Sequence, residues 1–232
     1  MEKKQYDLCR EVLRRLSNEA VLDRFILVGS WCVVLYADCF KGRGLLPAIR
    51  TRDLEFLVRI PPSYRRKTDL CELLRDLGFV IDYKGEEGYM ILEHPDLILE
   101  FLVPARGRES GKPFRIDALG INAQPLRFMD LLARNPIRVP FHDVEVTIPH
   151  PANFALQKLL IARRRKQQGK AVKDRGQAVA ILRALRDSGE SGRISAVYRS
   201  ITASWQRTIR RELAALGEEG LLDLRNGPGN PT

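Results

Sequence analysis

Apolar positions in this chain follow two regimes. Up to about residue 149, short apolar runs alternate with helical stripes, and from Pro151 onward only the helical spacing persists. Leu8, Cys9, Val12, Leu13 and Leu16 recur every three or four residues, which predicts an amphipathic helix over 5–18. Phe25-Ile26-Leu27-Val28 is continuous and short, as expected of a strand buried on both faces. Gly29-Ser30 ends it, and Trp31, Val33, Val34, Leu35 and Tyr36 predict a helix entered through a serine cap. Lys41 to Pro47, with two glycines and a proline, reads as a loop. A strand is expected over 53–59, closed by Pro61-Pro62. Leu70, Leu73, Leu74 and Leu77 form one face of a predicted helix from Ser63 to Leu77, which Gly78 stops. Strands follow at Phe79 to Tyr83 and Tyr89 to Glu93, around a turn from Gly85 to Gly88. A third, strongly apolar, runs from Leu97 to Val103. After a polar loop from Arg106 to Pro113, further strands fall near Ile137 and at Val144 to Ile148.

The second regime predicts helices at Ala152 to Arg165, Val172 to Leu185 and Ser195 to Leu216. A charged break lies at Lys166 to Lys170, and a disordered Gly/Pro-rich tail runs from Asn226 to Thr232. The pattern therefore predicts an α/β (α+β) core over 1–149, a mixed sheet flanked by helices. A helical region over 150–225 and a tail over 226–232 follow.

Two carboxylates interrupt the strand at 53–59. Residues i and i+2 of a strand share a face, so Asp53 and Glu55 project side by side while Leu54 and Phe56 point the other way. Adjacent like charges repel, and partial burial raises the cost unless a cation compensates. Hard divalent ions take such oxygen ligands. Glu100, inside the apolar run from Leu97 to Val103, poses the same question. On a strand beside Asp53 and Glu55 it would complete a three-carboxylate cluster able to hold two divalent ions. Small residues at Gly29-Ser30 let the backbone approach a triphosphate at a helix N-terminus.

Net charge is +10 with a pI of about 9.7, which favours polyanionic partners without choosing among them. Arg163-Arg164-Arg165-Lys166, Lys170, Lys173 and Arg175 extend a helix carrying Lys158, and Arg199, Arg207, Arg210 and Arg211 add to the basic C-terminal part. No apolar run approaches the roughly 20 residues of a membrane helix, and the polar start Met1-Glu2-Lys3-Lys4-Gln5 does not read as a signal peptide, so no membrane role and a cytoplasmic location are expected. Cys9, Cys32, Cys39 and Cys71 lack metal spacing and read as buried free thiols, with Cys32 and Cys39 in apolar company. His94, His142 and His150 are too scattered for a zinc site, and Trp205 is expected in the core.

Apolar-Gly-Ser, then Arg-Thr-x-Asp-x-Glu at residues 50–55, then a carboxylate on a later apolar strand resembles the DNA polymerase β-like nucleotidyltransferase superfamily. Within it, the chain looks most like the bacterial GSLR and abortive-infection (AbiEii/MenT-type) nucleotidyltransferases. The resemblance covers roughly residues 20 to 185 and includes Pro151-x-x-Phe154…Lys158 and Lys173-Asp174. It implies that Gly29 and Ser30, with Arg50 and Thr51, hold the nucleotide, and that Asp53, Glu55 and Glu100 bind two Mg²⁺ (or Mn²⁺) ions. Glu100 would also assist deprotonation of the acceptor hydroxyl. Lys158 would contact the triphosphate, with Asp174 supporting that region. The segment between Gly29 and Asp53 is longer than in compact members, Trp31-Cys32 is unusual after Gly-Ser, and Glu55 stands where Asp is commoner. The implied reaction moves a nucleoside monophosphate from an NTP to a hydroxyl. Candidate acceptors are RNA, particularly a tRNA end, a protein side chain, or a small molecule such as an aminoglycoside. The resemblance adds a toxin neutralised by an antitoxin partner. The competing reading is a catalytically inactive module of the same fold that binds nucleic acid or protein.

Overall fold

A computed structural model describes residues 3–40, 51–59, 66–105 and 111–222; the expected loop at 41–47, Arg50, the Pro61-Pro62 stop and the C-terminal tail lie outside them. The chain divides into two units, Met1–Leu35 with Pro47–Pro149, and Tyr36–Leu46 with His150–Thr232.

The first unit is built on a mixed sheet. Helix α1 (Lys3–Asn18) buries Cys9, Val12, Leu13 and Leu16, the stripe its spacing predicts. Strand β1 (Phe25–Val28) is buried along its length, and Gly29-Ser30 turns the chain into helix α2 (Trp31–Cys39). Strand β2 (Asp53–Val58) pairs antiparallel with β1 and parallel with β5 (Ile98–Pro104). Beyond β5 lie β4 (Tyr89–Glu93) and the edge strand β3 (Val80–Lys84), both antiparallel to their neighbours, so the order is β1-β2-β5-β4-β3. β7 (Ile121–Leu126) pairs with the last residues of β5 and with β6 (Phe114–Ile116), while β8 (Ile137–Phe141) and β9 (Val144–Ile148) form a separate hairpin. One face of the sheet is apolar. Phe25, Phe56 and Phe101 cluster in mutual contact, at ring separations of 5.2, 6.1 and 6.0 Å, and all three are buried. Each such ring contributes about 2–3 kcal/mol of burial.

The structure corrects several expectations. Of the helix expected from Ser63 to Leu77, residues 63–65 lie outside the described ones and 66–69 are not helical; α3 spans Leu70–Leu74 and continues as a 3₁₀ turn to Leu77. The Asp69 carboxylate accepts from the backbone N–H groups of Cys71 and Glu72 and so fixes the start. Just upstream, the Thr68 and Leu70 amides donate to Ala118 and Leu119, a tertiary tie that replaces helical bonds. β6 (Phe114–Ile116) and the short α4 (Met129–Leu132) went unforeseen because they are too brief to show a period, and β7 because its polar residues Asn122 and Gln124 and its Pro125 do not read as a strand. Cys9 and Cys32 are buried as expected, whereas Cys39 is exposed and Cys71 half-buried.

The second unit contains α5 (Pro151–Ala162), α6 (Gln168–Asp187), α7 (Ser191–Ser200) and α8 (Ala203–Ala214). The expected break is shorter than Lys166 to Lys170, since α6 begins at Gln168. The expected single helix from Ser195 to Leu216 is two: Ile201 is extended, and the Thr202 hydroxyl accepts from the Trp205 amide to cap a new helix. Trp205 is half-buried on the first turn of α8, not in the core. Helix α5 starts at Pro151, with the neutral Nδ1 of His150 accepting from the Ala152 amide at 3.2 Å.

Candidate active site

Strand register decides what the carboxylates can do together. Glu55 lies directly opposite Val28 on β1 and Glu100 on β5. Laterally paired residues share a face, so Asp53, Glu55 and Glu100 all project from the side of the sheet opposite the phenylalanines. Asp53 is exposed, Glu55 half-buried and Glu100 buried at 8% exposure. The same row continues to Ile91 on β4 and Asp82 on β3.

Gly29 is required at its position. Its φ is +73°, in the left-handed region. A Cβ there would lie 1.6 Å from Oε2 of Glu55, so the Glu55 carboxylate packs directly on the glycine backbone. Because Gly29 follows Val28, the residue paired with Glu55, the turn and the carboxylate strand form one local structure. Ser30 is half-buried and immediately precedes α2.

Thr51 and Asp53 are fixed by local bonds. The Thr51 hydroxyl lies 3.4 Å from Asp53 Oδ2 and accepts from the Asp53 amide at 3.3 Å. The Thr51 carbonyl accepts from Gln5 Nε2 at 2.6 Å, which ties this segment to α1. Arg52 donates to the His94 carbonyl at 2.8 Å and accepts through its own carbonyl from the Ile98 amide, locking the parallel pairing of β2 with β5.

Sequence reasoning missed Lys84. The last residue of β3, it extends across β4, and its ammonium lies 2.5 Å from Oε1 of Glu100. Partial burial pulls the Lys84 ammonium toward neutrality. The bond to Glu100, its charge, and those of Asp53 and Glu55 outweigh this and raise its proton affinity. The buried carboxylate on Leu97 to Val103 was itself the signal, because such a group needs a cation and Lys84 closes the neighbouring hairpin. Among the described residues no three His, Cys, Asp or Glu side chains converge as a metal-ligand set. The three carboxylates share a face, and the cation on Glu100 is an ammonium. Their hard oxygen donors and the attraction they exert on a cation suit a divalent ion.

Lys158 and Asp174 belong to the second unit. Lys158, 7% exposed, donates to Asp174 Oδ1 at 2.8 Å, and its ammonium is 5.2 Å from the Phe154 ring centre. Asp174, 3% exposed, also accepts from Arg165 at 2.9 Å. The sequence placed Lys158 and Asp174 in one functional region. The structure brings them together as a buried ion pair shared with Arg165.

A sheet of this order, with a Gly-Ser turn leading from its first strand to a helix and carboxylates on the next, is the arrangement of a nucleotidyl-transfer fold. The family model for nucleotidyltransferases matches residues 8–202, and the chain belongs to that family. It is a nucleotidyltransferase, and an NTP is its donor. Among solved structures, the solution structure of the antibiotic-resistance factor ANT(2'')-Ia is similar at 12% identity and a TM-score of 0.42, over 94% of this chain and 97% of that one. No curated protein matches the sequence. No helix among the described residues is long and apolar enough to cross a membrane.

Proposed function

We propose that this chain transfers a nucleoside monophosphate from an NTP to a hydroxyl of an RNA acceptor, at a divalent-metal site formed by Asp53, Glu55 and Glu100. The observation that carries the site is the register of Glu55 with Glu100, with Asp53 on the same face and the Glu55 carboxylate seated on Gly29. Nucleotidyltransferases use divalent ions, which neutralise phosphate charge and stabilise the attacking and leaving oxygens. Mg²⁺ suits these oxygen ligands. Gly29 leaves room for the Glu55 carboxylate, and Thr51 braces Asp53. Gly29, Ser30, Arg50 and Thr51 are assigned to the nucleotide, Lys158 to its phosphates, and Asp174 to positioning Lys158.

RNA is favoured as acceptor by where the charge lies. Residues 150–232 hold 16 Lys and Arg against 7 Asp and Glu, while residues 1–149 hold 23 against 22. Nearly all of the +10 surplus is therefore in the helical part, and Arg163, Arg164, Lys166, Lys170 and Lys173 are exposed there. Such clustering is the electrostatic footprint of a polyanion.

The test is incubation of the full chain with each labelled NTP, Mg²⁺ and total RNA, beside Asp53→Ala. Labelling by wild type alone supports the assignment. Equal labelling by both proteins rules out this site, and labelling of protein or small molecules in place of RNA overturns the acceptor. Release from growth arrest by a co-expressed neighbouring protein would identify an antitoxin partner.

A further inference from the structure

Lys84 has no role in the reaction as assigned, yet its ammonium lies 2.5 Å from Glu100 on the carboxylate face. Glu100 is buried on the central strand β5, and the charge of a buried carboxylate needs a partner. In this structure that partner is Lys84, which reaches Oε1 of Glu100 from the outer strand β3, two strands away. Lys84 itself is a hairpin residue. It is paired with Tyr89, and Gly85 and Gly88 at the turn both have positive φ. Its side chain remains 53% exposed, against 11% for Glu100. One end of the ion pair is thus fixed in the core of the sheet and the other is a long tether on an exposed edge. When a second cation arrives, the tether is the end that moves.

We propose that Lys84 is a tethered counter-cation: it neutralises Glu100 while no metal is bound and is displaced from it by the incoming divalent ion. This rests on the metal-site reading above. A dication and an ammonium on one carboxylate repel each other strongly where solvent screening is weak, so occupation by one weakens the other. The arrangement sets metal affinity below what the three carboxylates would give alone. It also spares the unloaded protein a buried, unpaired charge. The alternative geometry, with Lys84 holding Oε1 while a metal takes Oε2, makes Lys84 an orienting group and predicts the opposite sign.

The experiment is titration of the full chain with Mn²⁺ alone, without nucleotide, reading free Mn²⁺ by electron paramagnetic resonance. Wild type is compared with Lys84→Met, Lys84→Gln and Asp53→Asn. Lys84→Met and Lys84→Gln keep most of the stem and remove the charge, on an edge residue whose loss leaves the core intact. The expected result is Mn²⁺ affinity about tenfold tighter in both, a change of about 1.4 kcal/mol, and weaker in Asp53→Asn. Unchanged or weaker binding in the two Lys84 variants, with Asp53→Asn still weakened, overturns the counter-cation role and leaves the metal site standing. Mn²⁺ binding that Asp53→Asn does not alter defeats the metal-site reading itself, and the inference falls with it.

Discussion

Gly29→Ala separates what the carboxylate face needs for chemistry from what the fold needs for stability. An alanine at φ +73° pays the left-handed backbone penalty of about 1–2 kcal/mol. In a chain of this size that lowers the melting temperature by roughly 2–8 °C. The steric consequence is larger. The new Cβ would sit 1.6 Å from Glu55 Oε2 and 2.8 Å from its Cδ, and ordinary contact begins at 3.4 Å, so Oε2 must withdraw by about 1.8 Å. The clash falls on the far end of a flexible side chain, so the carboxylate yields, and the backbone of β1 and β2 holds. Misplacement of a positioning group by about 1 Å costs on the order of a hundredfold in rate. Gly29→Ala is therefore expected to fold, to lose about a hundredfold or more in nucleotidyl transfer, and to bind Mn²⁺ more weakly. Labelled-NTP transfer, Mn²⁺ titration and thermal melting measure the three quantities. A double-mutant cycle with Glu55 isolates this effect. If alanine acts through Glu55, adding it to Glu55→Gln costs little further activity, because the group it displaces is already disabled. Wild-type activity and Mn²⁺ affinity in a folded Gly29→Ala protein would show that the Glu55 carboxylate has no role where it stands.

Further expectations concern the ion pairs and the helix cap. Asp174→Ala leaves Lys158 buried and Arg165 unpaired, and should destabilise by about 3–5 kcal/mol, whereas Lys158→Met paired with Asp174→Leu should recover much of that loss on chemical denaturation. If Lys158 contacts phosphate, Lys158→Met alone raises the KM for NTP; an unchanged KM assigns it to structure only. His150 caps α5 in its neutral form, and burial, with the charge of Arg193, lowers its pKa against an opposing pull from Glu190. The folded state then binds protons less readily than the unfolded chain, so stability should fall as pH drops below the ordinary imidazole value of about 6.5. His150→Asn keeps a capping acceptor and should remove that dependence in melts between pH 7 and 5. The bond from Arg14 lowers the Glu11 carboxyl to about 2, with Arg15 adding to it against partial burial. Its contribution is present above the unfolded value near 4.5 and is lost toward pH 2. After screening it is worth about 1 kcal/mol, and it should vanish in Glu11→Gln.

Much of this protein is legible one segment at a time. The two-residue period placed Asp53 and Glu55 on one face and Leu54 on the other, because alternation is a local property of any strand. The continuous run Phe25 to Val28 and the stripe on α1 are legible for the same reason, since burial selects the residues directly. Glu100 was suspect within its own strand, because a carboxylate in an apolar run needs a partner wherever it lies. Other features depended on how segments meet. The parallel pairing that sets Glu100 beside Glu55 is a register, fixed by the whole sheet and by the Arg52 bonds at its end. Lys84 became part of the site only when β4 placed it across from β5, a matter of strand order. Likewise Asp69 and Thr202 each cap a helix that apolar spacing alone predicts in a different place. A cap depends on a single side chain meeting particular amide groups, and helical periodicity does not register it. Sequence thus determined which residues carry charge into the sheet; the tertiary structure decided which of them face one another and which cation they share.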